Sequence, residues 1–223
     1  PKVPLLYVVD RIRDGRSFTT RRVIAIQHGR PIFSMSISFQ VQEGGLEHQF
    51  EMPAVPDPET LEPENELRRR WGEAAGLDPE MLARFTRNRP IEVREIDPQN
   101  PFTPEKRAPH QTSWMRVSGR LPDDPRLHQC ALAYLSDWSL LDTCTWPHGV
   151  SFMQENFQTA SLDHAMWFHR PFRADEWLLY VQDSPAAAGA RGFNRGLIHD
   201  RDGRLVASVA QEGLIRLRED AGA

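Results

Sequence analysis

The sequence predicts an α+β protein of two similar units, each an antiparallel sheet curved around a central helix, with the first unit lacking its helix in this chain. Three observations predict it. Residues 1–40 read as a meander of three strands with no helix between them. Just past residue 121 there is one helix that is apolar on almost every side. Long alternating strands then run to the end of the chain. These observations place the first unit at residues 1–121, with a proline-rich helical insert at about 43–90, and the second unit at residues 122–223.

Each element has a local cause. PLLYVVDRIRDG is a strand ending in an Asp14-Gly15 turn, and SFTTRRVIAIQHG is a second one ending at His28-Gly29. In the third, RPIFSMSISFQ, Phe33, Met35, Ile37 and Phe39 alternate with Ser34, Ser36, Ser38 and Gln40, the pattern of a half-buried antiparallel strand. Prolines then cluster in MPAVPDPETLEPE. ENELRRRWGEAAG and DPEMLARFTR follow as two short helices, the second opened by Asp78 as N-cap and Pro79 in the first turn. The Arg68-Arg69-Arg70 run reads as a solvated helix face. PIEVREID and HQTSWMRVSGRL resume the strands.

The apolar helix starts with Asp124 as cap and Pro125 at its first position. Leu127, Cys130, Ala131, Tyr134, Leu135 and Trp138 recur on it at helical spacing. Leu132 and Ala133 occupy the other side, so this helix is expected to be buried, and Asp137 with it. Burial would raise a carboxylate pKa toward that of a useful general base. EWLLYVQDSP, ARGFNRGLIHD and LVASVAQEGLIRLR are the closing strands, the last two joined through Asp202-Gly203.

ASLDHAMWFHRPF, residues 160–172, is the segment richest in chemistry. As one strand of period two it sets Ser161, Asp163, Ala165, Trp167 and His169 on one face and Leu162, His164, Met166 and Phe168 on the other. Neither face is cleanly polar. One is expected in the core and the other at a cleft, with the His164 imidazole turned away from Ser161, which argues against a covalent serine mechanism. Asp163, His164 and His169 are read as structural residues.

Composition restricts the partners. The chain has 223 residues, 39% hydrophobic and 26% charged, with a formal net charge of -4. No basic excess points to nucleic acid, and no apolar run reaches the ~18 residues of a membrane span. Cys130 and Cys144, the two cysteines, have no metal-type neighbours and read as free thiols of a reducing, cytoplasmic protein.

RDGRSFTTRRVIAIQHGRPIFSMSISFQ, LHQCALAYLSDWSLL, SLDHAMWFHRPF and VASVAQEGLIR, in this order along nearly the whole chain, resemble the acyl-CoA thioesterase II family. The resemblance implies a double hotdog fold and hydrolysis of acyl-CoA to free fatty acid and CoA, without metal or organic cofactor. It also implies that water is activated by three residues. By motif these are Asp137 in LSDW, Ser161 in ASLDH and Gln211 in VAQEG. The implied partners are the acyl-CoA substrate and further copies of the chain joined through sheet edges.

The chemistry agrees with the resemblance. A thioester is already reactive, so its hydrolysis needs an oriented water, a base and donors for the developing oxyanion. Two other readings stand beside it. One is a non-catalytic acyl-CoA-binding protein of the same fold. The other is a hydratase using an Asp/His helix pair, which fits less well because His128 and Asp137 are out of helical phase. Arg21, Arg22, Arg191 and Arg195 are candidates for the CoA phosphates, with strand-edge solubility the plainer role. The Phe33–Phe39 face is expected to be covered by a helix lying upstream of this sequence.

Overall fold

The computed structural model describes residues 3–218. The chain divides into two units, residues 1–48 and residues 49–223. In the first, β1 (Leu6–Asp14), β2 (Phe18–Gln27) and β3 (Arg30–Gln40) form an antiparallel sheet in that order. The turn between β2 and β3 places His28 at φ 51° and Gly29 at φ 72°. Positive φ at both central residues is the twist that a two-residue hairpin requires. Phe33, Met35 and Phe39 are exposed rather than half-buried, and among the described residues of this unit there is no helix to cover them.

The second unit is larger. Its elements are α1 (Glu64–Ala74), α2 (Pro79–Phe85), β4 (Ile91–Glu95), β5 (His110–Val117), α3 (Pro125–Ser136), β6 (Phe157–Ser161), β7 (Ala165–Phe168), β8 (Leu178–Ala188), β9 (Arg191–Asp200) and β10 (Leu205–Leu217). The strands form one antiparallel sheet of order β4-β5-β8-β9-β10-β6, with β7 also paired to β10. The expected boundary at residue 121 is therefore corrected. β5 pairs with β8 from Met115↔Leu178 to His110↔Asp183, so β4 and β5 belong to the sheet that holds α3 and cannot be assigned to the first unit.

One face of the sheet packs on α3. Ile91, Val93, Met115, Leu178, Tyr180, Ile198, Val206, Ala207 and Val209 from five strands surround Leu132 and Leu135. The helix is buried on this side only. Leu127, Cys130 and Tyr134 are exposed, contrary to the expectation of an all-round buried helix, because the sheet curves about a single face that carries His128, Leu132, Leu135 and Ser136 at i, i+4, i+7 and i+8. A second cluster of Trp114, Trp177 and Leu179 packs with Met52, Val55 and Leu61 of the proline-rich segment. Trp114 Nε1 donates to Pro56 O (2.9 Å), which docks this proline-rich chain without a strand of its own.

The helix starts occur as expected. Asp78 accepts from the backbone N–H groups of Glu80 and Met81, and Asp124 accepts from that of Arg126. Arg68, Arg69 and Arg70 pair with Glu64, Glu66 and Glu62 on and beside α1. Cys130 and Cys144 are free thiols. Among the described residues no helix is long and apolar enough to cross a membrane.

Candidate active site

Asp137 is the C-cap of α3, in helical conformation at φ -85° and ψ -10°. Its side chain is 56% exposed, so the expected buried carboxylate is not there: at the end of the helix it meets solvent instead of the core. The helix end is fixed from below. Tyr180 on β8 donates its hydroxyl to Ser136 O (2.8 Å), which satisfies a carbonyl that the ending helix leaves unpaired. Burial pushes the Tyr180 phenol well above its ordinary pKa, and the Asp137 charge adds to the shift, so it remains a donor.

Gln211 lies in β10 between Val209 and Gly213 on the core face, with 1% of its surface exposed. Its Nε2 donates to Asp137 Oδ1 at 2.6 Å. The structure thus joins two of the three residues that the sequence singles out, 74 positions apart. Ser161 is the last residue of β6 and stands opposite Gly213. That pairing puts its Cβ on the same face as Gly213 and Gln211, diagonal to Gln211. Its hydroxyl is exposed and makes no hydrogen bond among the described residues, so the third residue shares the face without touching the other two.

The segment around Ser161 is not the single strand that period two suggests. Ser161 pairs with Gly213 and Ala165 with Ala210, so residues 162–164 stand opposite only Gln211 and Glu212. This is a β-bulge, and its one extra residue inverts the alternation beyond it. The backbone N–H groups of Leu162 and Asp163 both reach Glu212 O, and Glu212 N donates to Asp163 Oδ1 (2.8 Å). Asp163 is structural, as expected. His169, also expected to be structural, lies within 2.8 Å of Ser208 Oγ through its Nε2.

His164 is different, and the expectation that it turns away from Ser161 is overturned. Because of the bulge, His164, Met166 and Phe168 join Ser161 on the Gln211 face. His164 Nδ1 lies 3.8 Å from Asp137 Oδ1 and 3.4 Å from Gln211 Nε2, and its Nε2 lies 3.0 Å from Ser136 Oγ. Its side chain is 24% exposed. Burial lowers its pKa below the ordinary 6.5, against the raising effect of Asp137 and Asp163. The residue types in the bulge do not announce it, since none is a glycine; the register with β10 alone sets it.

Three of the four arginines considered for phosphate binding are engaged: Arg191 with Glu212, Arg195 with Asp183 and Arg21 with Asp14. The chain just past Asp137 is held by the insert. Trp138 Nε1 donates to Glu64 Oε1 (3.4 Å), and Arg68 and Arg89 lie over the Trp138 ring. Beside it, Glu64, Arg68, Glu95, Gln111, Trp138 and Asp142 line a cavity of about 80 Å³. Burial there, reinforced by the Glu64 charge, pushes Glu95 up to about 8 and Asp142 up to about 7.

A carboxyl raised in the fold favours folding below its unfolded value and loses that contribution as pH rises through the folded one. For Glu95 the window runs from 4.5 to about 8. Glu95→Gln keeps the shape of the protonated acid and cannot ionise. Its stability relative to the parent is therefore expected to rise by about 4 kcal/mol between pH 5 and pH 9, about 1.4 kcal/mol for each pH unit up to the folded value. Urea unfolding at both pH values measures it, and a difference independent of pH would show that Glu95 ionises freely in the fold.

Comparison with known proteins adds a family and a fold. A family model for acyl-CoA thioesterase matches residues 81–214, and one for the acyl-CoA thioesterase N-terminal domain matches residues 1–40. The chain is 43% identical to mouse acyl-coenzyme A thioesterase 8 over 98% of its length and 69% of that protein. It is 44% identical to the solved acyl-CoA thioesterase II TesB2 of Mycobacterium marinum, with a TM-score of 0.74, covering 96% of this chain and 74% of the other. A hot dog fold protein of unknown function from Alicyclobacillus acidocaldarius has a TM-score of 0.73 at 17% identity, covering 95% of this chain and 72% of the other. At that identity the likeness concerns the fold alone.

Proposed function

This chain belongs to the acyl-CoA thioesterase family, with a double hotdog fold and thioester hydrolase activity, and from that premise we propose a mechanism for residues Asp137, Ser161 and Gln211. Water attacks the thioester carbonyl carbon of a fatty acyl-CoA while Asp137 takes its proton. The tetrahedral intermediate collapses, the C–S bond breaks and CoA leaves as thiolate. The proton held by Asp137 then returns to the products, free fatty acid and CoA. No acyl-enzyme forms and no cofactor takes part, CoA being a portion of the substrate.

The observation that carries this reading is the 2.6 Å hydrogen bond from Gln211 Nε2 to Asp137 Oδ1. It orients a half-exposed carboxylate without neutralising it, and the bond leaves the second oxygen, Oδ2, to meet the water. Ser161, on the same face and without another hydrogen bond among the described residues, supplies a hydroxyl to the water or to the oxyanion. We place this activity in the cytoplasm, where Cys130 and Cys144 stay reduced. Copies of the chain associate through strand edges, of which β4 and β6 end the larger sheet.

Thiol release from acyl-CoAs of graded chain length tests the reading. Ser161→Ala and Gln211→Ala are each expected to lower kcat. The double variant should lose less than the product of the single losses, because groups acting on one water are not additive. Strict additivity would mean that they act separately. An acyl-serine adduct at Ser161, detected by mass spectrometry, would replace direct water attack by a covalent route. A folded protein inactive on every chain length would favour a binding role.

A further inference from the structure

We propose that His164 is a positioning residue of this site: as a neutral acceptor it holds the Gln211 amide that holds Asp137, and a proton on its Nδ1 switches the site off. The proposal rests on the water mechanism above and adds a residue and a regulation to it.

The tautomer follows from the neighbours. Ser136 has one hydroxyl proton, and its Oγ donates to Ala133 O at 3.1 Å, inside the last turn of α3. The other strong neighbour, His164 Nε2 at 3.0 Å, must then be the donor and Ser136 the acceptor. A neutral ring with its hydrogen on Nε2 leaves the Nδ1 lone pair free. Nδ1 faces Gln211 Nε2 at 3.4 Å.

A primary amide has two N–H bonds, and Gln211 spends one on Asp137 and the other on His164. Turning the amide over would set Oε1 against the carboxylate and against the Nδ1 lone pair, so both acceptors fix the same orientation. The ring depends on the bulge at residues 162–164, which delivers it to this face, and on α3, whose Ser136 pins its far nitrogen. Ser136 O is itself held by Tyr180.

Protonation reverses each of these roles. A hydrogen on Nδ1 would point at the Gln211 N–H and break that contact. At 3.8 Å from Asp137 Oδ1 it would also pair the carboxylate and draw it away from water. The charged groups facing the ring are Asp137 from α3 and Asp163 from the bulge itself, while Ser136, Gln211 and the Tyr180 phenol are neutral. Burial outweighs the two carboxylates and lowers the His164 pKa below 6.5, so the ring is neutral at pH 7. Activity is therefore expected to fall on the acid side, as pH drops through the folded value.

Two substitutions separate the roles of the two nitrogens. His164→Gln can offer a donor near the Nε2 position but no acceptor at Nδ1. His164→Asn puts its Oδ1 close to Nδ1, keeps an acceptor for Gln211 and cannot be protonated. His164→Gln is expected to lower kcat about 10-fold or more with KM little changed. His164→Asn is expected to recover a large part of that loss, with the acid limb of its kcat profile moved to lower pH.

Equal losses in the two variants, with an acid limb like that of the parent, would reduce His164 to a structural residue and overturn the proposal. Should neither variant fold, the His164 ring is titrated in the parent by 15N NMR. A midpoint coinciding with the acid limb of kcat supports the proposal, and a separate midpoint overturns it. Failure here differs from failure of the water mechanism. An inactive Asp137→Asn beside two active His164 variants sinks only the present inference; an active Asp137→Asn sinks the mechanism beneath it.

Discussion

Asp137→Asn is expected to lower kcat by about 10²-fold or more while KM changes little, measured as steady-state thiol release from a saturating acyl-CoA. The substitution changes almost nothing else. Asparagine has the shape of aspartate and keeps an oxygen that can accept from Gln211 Nε2, so the 2.6 Å contact and the end of α3 can persist. What it removes is the capacity to take a proton from water. Since the side chain is 56% exposed, little packing is lost and the variant should fold with parental stability. Parental turnover in this variant would remove Asp137 from the chemistry and leave hydrolysis to other groups.

The second large effect is expected at a residue with no chemistry of its own. Gly196→Ala should destabilise the protein by about 3 kcal/mol, seen as a lower urea midpoint, and should lower kcat with it. Tyr180 pairs with Ile198 and Gln182 with Gly196, so the Tyr180 ring leans diagonally across the strand pair onto the bare backbone at residue 196. A Cβ there would lie inside the ring and against its hydroxyl. The ring is 1% exposed and has no free volume to enter. Moving it breaks the 2.8 Å bond to Ser136 O and loosens the turn that presents Asp137. Tyr180→Phe is the control: it loses that one hydrogen bond, about 1 kcal/mol, without overpacking. Parental stability in Gly196→Ala would show that the ring can yield.

Much of the candidate site was legible in the sequence, though by different routes. Asp137 and Gln211 come together as their motifs imply, and a family resemblance was needed to pick them out. Neither has a local signature: one is an acid at a helix end, the other an amide in an apolar strand. His164 was visible and misplaced. Period two is sound for an unbroken strand, but the extra residue between Ser161 and Ala165 inverts every face after it. Asp137 was expected to be buried because its helix looked apolar all round. Leu127, Cys130 and Tyr134 instead lie exposed, and the carboxylate at the helix end is open with them.

The sequence by itself determined the features whose cause lies within a few residues. The caps at Asp78 and Asp124 need only a side-chain oxygen two or three positions before an amide, and the His28-Gly29 turn only two residues that tolerate positive φ. Apart from residues 160–172, read as one strand and found as β6 and β7, the order of strands and helices in the second unit followed from the same local periods. Only the tertiary structure decided which sheet β4 and β5 join, where the strand before His164 gains a residue, and which side of α3 faces the core. Each of these depends on a partner distant along the chain: β8 for β5, β10 for the bulge, the curved sheet for the helix. Pairing register is settled by the burial of a whole face at once, and no short stretch of sequence contains that sum.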